Sequence, residues 1–258
     1  MKNHSNSQSG FTLVELSIVM IIIGLLIGGI LKGQELIENT RIASTISLLK
    51  QVEVAYHTFT DSYQGKPGDL AAARTRIPGC DAGNSCVNGN GNLMVGTASG
   101  DPWANVNTTI TSENTQFWKH LALADLIAGM NPSSSAIDWG DTYPGAPIGG
   151  GFLANTTRGN AQYVSVRGLT ILTRSRADGQ WLCGVATGNF EECSMSAQQA
   201  FKIDSKMDDG NAQTGNFAAI SMSYRTGCGT PNTGINGANG YNPKKDVKSC
   251  DTFYSIAP

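Results

Sequence analysis

Charge is scarce in this chain: Asp, Glu, Lys and Arg make up only 15% of its 258 residues, and the formal net charge is -2. With no overall positive field there is nothing to draw in nucleic acid or an anionic surface, which argues against a general DNA-binding role. Histidine is scarcer still, with only His4, His57 and His120. No Cys-x-x-Cys is present and no histidine lies near a cysteine at metal-ligand spacing, so zinc is a poor reading. The sequence has no Gly-x-Ser-x-Gly, no His-Glu-x-x-His and no Walker phosphate loop. A chain whose one histidine beyond the first sixty residues is His120 has little to act as a general base, and these absences together exclude the common enzyme classes.

What the chain does have is apolar material (40% hydrophobic) in a frame of 31 glycines, enough for a folded core with long loops. Its six cysteines, Cys80, Cys86, Cys183, Cys193, Cys228 and Cys250, allow fifteen pairings. Neighbours in sequence fall into Cys80–Cys86, Cys183–Cys193 and Cys228–Cys250, the local loops expected here. Disulfides persist in oxidising compartments, so this usage favours an exported protein.

The N-terminus carries most of the information. Residues 1–10, MKNHSNSQSG, are polar, and residues 11–31, FTLVELSIVMIIIGLLIGGIL, hold one charge, Glu15. At 1.5 Å per residue a helix of that length covers about 31 Å, the thickness of a hydrocarbon core. An ordinary secretory signal has a shorter apolar stretch of roughly 7–15 residues and a small-residue cleavage site, neither of which fits. A plain signal anchor fits the length but leaves Glu15 unexplained, because a carboxylate in a lone membrane helix costs about 2.5–3.5 kcal/mol near the centre and marks a partner. Lys32 and Arg41 follow the span, so the positive-inside signal is weak. Gly24/Gly28 and Gly29/Gly33 are small residues at four-residue spacing, read equally as close helix packing or as the ordinary glycine content of membrane helices.

The string Gly10-Phe11-Thr12-Leu13-Val14-Glu15-Leu16 resembles the processing site of type IV prepilins and type II secretion pseudopilins. The resemblance implies cleavage after Gly10 by a membrane prepilin peptidase, N-methylation of Phe11, and a periplasmic domain anchored in a bacterial inner membrane. It also implies assembly with other pilin or pseudopilin subunits into a homo- or hetero-filament. Cleavage would create a cationic amine at Phe11, about 6 Å along the helix from Glu15. Pairing of Glu15 with a neighbour's amine would relieve the buried charge and set axial register.

After Lys32 the sequence turns amphipathic. Ile42, Ile46, Leu49, Val52, Tyr56 and Phe59 recur at three- and four-residue steps, predicting one helix that ends near Ser62–Gly65, before Lys66-Pro67-Gly68-Asp69. The run Phe59…Tyr63…Pro67-Gly68-Asp69 resembles a subset of large pseudopilin-like proteins. His57 reads as a solvated polar-face residue. The segment 79–100 is a Gly/Asn loop whose NGNGN lacks the alternating acidic ligands of a calcium loop. Residues 113–128 read as a helix in which Trp118 and His120 pack. Residues 131–160 read as a loop, with Trp139 and Tyr143 plugging it. A hairpin is expected from 161–173 and 181–187 across the turn at Ala177-Asp178-Gly179. Ser196 and Gln199 form a capping-box pattern opening a helix to about Met207, and Phe217–Tyr224 reads as a strand.

Asp204, Asp208 and Asp209 gather at that helix end. A solvated terminus is the plain reading, and a calcium site, as some major pseudopilins have in a late loop, is the alternative. Lys244, Lys245 and Lys248 make a small basic cluster among acids, read as solvated loop. In resembling pilins a C-terminal disulfide loop such as Cys228–Cys250 covers the sheet. The expected organisation is therefore a leader at 1–10, a transmembrane helix at 11–31, its amphipathic continuation at 32–64 and a globular domain at 65–258. The expected fold class is α+β and pilin-like, with the long helix on an antiparallel sheet and disulfide-pinned loops. The competing readings are a tip adhesin or DNA-binding minor pilin, and an anchored envelope protein that never polymerises.

Overall fold

In the computed structural model, residues 10, 12–96, 106, 108–157, 166–178, 193–220, 228, 240–242 and 248–257 are described. The chain divides into two units, Met1–Arg41 and Ile42–Pro258. The expected α+β class holds: a long N-terminal apolar helix, an antiparallel sheet, and cysteine pairs at disulfide distance.

Helix α1 runs Leu13–Tyr63. Leucine, isoleucine and valine carry its first part, where every apolar side chain from Leu13 to Leu31 is exposed. Its later part is amphipathic, and Ile42, Thr45, Leu49, Val52, Ala55, Tyr56 and Phe59 are buried. Ile46 is only partly buried against that core. The helix stops at Tyr63; Gln64 adopts φ 47°, and Pro67 follows. Gly68 then takes φ 84°, where a Cβ would meet the Glu113 carbonyl at 2.5 Å, so only glycine fits.

A one-turn helix α2 (Ala73–Arg76) leads to α3 (Glu113–Leu123). Ser112 caps α3 by accepting from the Thr115 N–H. The helix is shorter than the expected 113–128, because Asp125 turns to φ 56° and Ala124 and Ile127 pack from the turn that follows.

Among the described residues the sheet has five strands, β1 (Gly151–Thr157), β2 (Gly168–Arg174), β3 (Met195–Ser196), β4 (Phe217–Ile220) and β5 (Lys248–Ala257). Their order is β1-β2-β5-β3, with β4 also pairing β5, and all pairings are antiparallel. Helix α4 (Ala197–Met207) starts from Ser196 with both halves of the expected capping box in place.

Three expectations are corrected here. Residues 151–157, read as loop, form β1. The segment GFLANTT is buried at six of its seven positions, so it shows no polar alternation to reveal it. The hairpin partner of β2 is therefore β1, with β5 on the other side, instead of 181–187; residues 181–187 lie outside the described residues. The C-terminal tail, read as a disulfide loop, ends in β5, the strand with the most partners. Of the strand expected at Phe217–Tyr224, Phe217–Ile220 is present and 221–224 lies outside the described residues.

Candidate functional site

At the N-terminus, Gly10 is exposed with nothing within 4 Å of where a Cβ would stand, and Phe11 lies outside the described residues. Thr12 precedes the first helical residue and closes a capping box with Glu15. The Glu15 Oε2 accepts from the Thr12 backbone N–H and from Thr12 Oγ1, both at 2.9 Å, while the Glu15 N–H donates to Thr12 Oγ1 at 3.3 Å. Sequence reasoning took Glu15 only as a charge in search of a partner and missed this local role, although Thr12-x-x-Glu15 is a readable capping pattern. Both bonds to the carboxylate fall on Oε2, which leaves accepting capacity on Oε1. Gly24, Gly28, Gly29 and Gly33 likewise have nothing within 4 Å of a Cβ, so each position is open.

The candidate calcium residues do come together. Carboxylate oxygens of Asp204, Asp208 and Asp209 lie within 4.8 Å of one another. Each is already engaged by the protein. Asp204 accepts from the Gly210 N–H (3.1 Å) and from Tyr241 Oη (2.7 Å). Asp208 accepts from the N–H groups of Asn216 and Phe217, and Asp209 from the Asn211 N–H and Thr214 Oγ1. Gly215, at φ 79°, lets the chain pass against the Asp208 carboxylate. Burial, then the neighbouring acids Asp209 and Asp208, push the Asp204 carboxyl up to about 6 despite its two hydrogen bonds.

The NGNGN segment serves a different acid. Asp69, buried, accepts from the N–H groups of Gly91, Asn92 and Leu93 at 2.7–3.0 Å, and Glu113 accepts from those of Asn90 and Gly96. The loop wraps two carboxylates with its backbone, which is turn chemistry as expected. Trp139 and Tyr143 pack edge to face, and Trp139 Nε1 donates to the Ser175 carbonyl, so they plug the loop beside β1. His57 is exposed, while His120 and Trp118 are fully buried.

Where α1 meets the sheet, Tyr254 of β5 donates to Glu53 Oε2 at 2.7 Å and accepts from Lys50 Nζ at 2.5 Å. Nothing in the sequence links Lys50 and Glu53 to a tyrosine two hundred residues away.

The expected disulfides Cys80–Cys86 and Cys228–Cys250 are present, with Cα atoms 5.1 and 5.6 Å apart. Cys193 is disulfide-bonded as well, and Cys183, its expected partner, lies outside the described residues. Of the basic cluster, Lys248 starts β5, and Lys244 and Lys245 lie outside the described residues.

With this geometry in place, the N-terminus is where a known family matches. Residues 5–31 match the family described as the prokaryotic N-terminal methylation motif, the signature of type IV pilins and pseudopilins. The match covers residues 5–10 and the apolar part of α1, so the chain carries a pilin-type N-terminus on a mixed α+β body. That signature belongs to structural, non-enzymatic proteins, and together with the exposed apolar helix it suggests membrane anchoring. Neither the comparison with curated proteins nor that with solved structures returns a match.

Proposed function

We propose that this chain is a structural subunit of a type IV pilus or a type II secretion pseudopilus and catalyses no reaction. The observation that carries the reading is the methylation motif at 5–31 on a helix whose apolar side chains from Leu13 to Leu31 are exposed. Residues 1–10 are the leader, removed after Gly10 by prepilin peptidase, and Phe11 becomes the methylated first residue. Residues 11–31 span the inner membrane, 32–64 continue the helix, and 65–258 form the domain on the periplasmic side. In the filament, lipid around α1 is exchanged for neighbouring α1 helices, and Glu15 pairs with a neighbour's N-terminal amine. With 248 residues after cleavage, the chain is large for a repeating subunit, which favours a minor or tip position.

Mass spectrometry of the protein recovered from its native cell tests the processing step. The expected product starts at N-methylated Phe11; Met1 retained where the peptidase is active overturns the reading.

Asp204, Asp208 and Asp209 are the residues that would hold calcium, since three carboxylates share one small volume. A rise in Tm on adding calcium, abolished by Asp209→Asn, would assign the ion there. Melting that is the same with calcium and with chelator removes it.

A further inference from the structure

Among the polar side chains that helix α3 buries, Gln116, Lys119 and His120 stand at positions i, i+3 and i+4. Gln116 donates to the Ser85 carbonyl (2.9 Å) and accepts from the Val87 N–H (3.0 Å). Lys119 Nζ donates to the carbonyls of Asn84 (2.8 Å), Pro132 (2.7 Å) and Ser134 (2.8 Å). His120 donates from Nε2 to the Val87 carbonyl and accepts at Nδ1 from the Gly68 N–H. One helix thus holds the backbone of three separate segments, at 68, at 84–87 and at 132–134.

Asn84 and Ser85 lie inside the ring closed by Cys80–Cys86, and Val87 follows it directly. The ring sequence, CDAGNSC, has little conformational preference of its own. Its inward presentation depends on closure and on local bonds. Asp81 Oδ1 accepts from the Gly83 N–H, the Cys86 N–H donates to the Asp81 carbonyl, and Ser85 sits at φ 55°. The ammonium of Lys119 makes its hydrogen bonds to carbonyls, one of them supplied by this ring. An ammonium taken out of water is tolerable only while such partners stay in place.

We propose that the Cys80–Cys86 bond is a redox latch for the buried ammonium of Lys119, so that the α3 clamp closes only in an oxidising compartment. Closure joins the two Sγ atoms, and the two protons and two electrons leave to a disulfide-bearing oxidant; a dithiol reductant reverses it. With the ring open, the Asn84 carbonyl leaves the cage, Lys119 turns towards water, and the loop at 132–134 loses its tether although it contains no cysteine. This inference is independent of the filament reading, because it concerns the 42–258 unit alone.

The test compares the full chain in detergent with its Cys80→Ser/Cys86→Ser variant. The readouts are acylation of individual lysines by an acetyl ester, followed by peptide mass spectrometry, and amide hydrogen exchange. Lys119 is expected to acylate at least tenfold faster in the variant, with exposed Lys206 unchanged and exchange at 132–134 accelerated. Equal Lys119 reactivity and equal exchange in the two proteins overturn the proposal. Should the variant unfold as a whole, the same pair in a Lys119→Met background decides. Loss of the disulfide then lowers Tm less than half as far as in the Lys119 background, and equal drops overturn the latch.

Discussion

His120 and Asp204 respond to acid in opposite directions. Burial holds the His120 imidazole down at about 4, against its ordinary 6.5, because a charge there would have no water. The neutral form is favoured in the folded state, so this stabilisation is complete above about pH 6.5 and is lost as pH falls through about 4. A shift of that size is worth about 3 kcal/mol. Asp204 is raised to about 6, so its contribution is present below its ordinary value near 4 and is lost as pH rises through about 6. Water reaching the exposed Asp208 and Asp209 reduces this to about 1–2 kcal/mol. The two contributions offset each other between pH 4 and 6.5. On acidification across that range Tm should therefore fall more steeply in Asp204→Asn than in the parent, whereas in His120→Gln the fall should be abolished or reversed. Parallel profiles in all three proteins would show that neither group titrates as its surroundings require.

Among the elements, the start of α1 has two jobs that can be separated. Thr12→Ala removes the cap and should fray the first turn at a cost of about 1 kcal/mol, seen as faster amide exchange near Leu16, with the Glu15 charge intact. Glu15→Gln keeps a side chain able to close the capping box but has no charge to offer a neighbouring amine. If pairing drives assembly, Glu15→Gln should reduce the filaments recovered by shearing at least tenfold, whereas Thr12→Ala should reduce them only modestly. Filaments at parental levels from Glu15→Gln would leave the cap as the sole role. The helices were legible in the sequence because their signals are local: the apolar steps from Ile42 to Phe59, the Ser196/Gln199 box, the stop at Pro67. Strands β1 and β5 were not, for a physical reason. β1 is buried on both faces, and β5 hides Asp251, Thr252 and Ser255 inside the sheet, so the alternation that betrays a half-exposed strand is missing. The clasp of Lys50 and Glu53 on Tyr254, and the cage around Lys119, are assembled by the fold from distant segments, and no spacing rule reaches them. The acids at 204, 208 and 209 were readable because they sit within six residues of one another.

At the scale of the whole molecule, the buried core begins at Ile42, and no described residue before it belongs to that core. The apolar side chains of Leu13 to Leu31 are exposed in the isolated chain. In water that surface would drive self-association, because each buried side chain of this kind gains about 1.5–3 kcal/mol relative to exposure. Lipid, detergent or neighbouring helices must therefore cover it, and the buried core of the 42–258 unit contains none of it. A chain reduced to residues 32–258 should then be monomeric in water and melt cooperatively, with a Tm within a few degrees of the full chain measured in detergent. The full chain should stay with the membrane through alkaline extraction. Loss of the cooperative transition in the shortened chain would mean that the apolar segment is part of the folding unit. The anchor would then be a core helix lacking its partner instead of a segment made to pass from lipid into a filament.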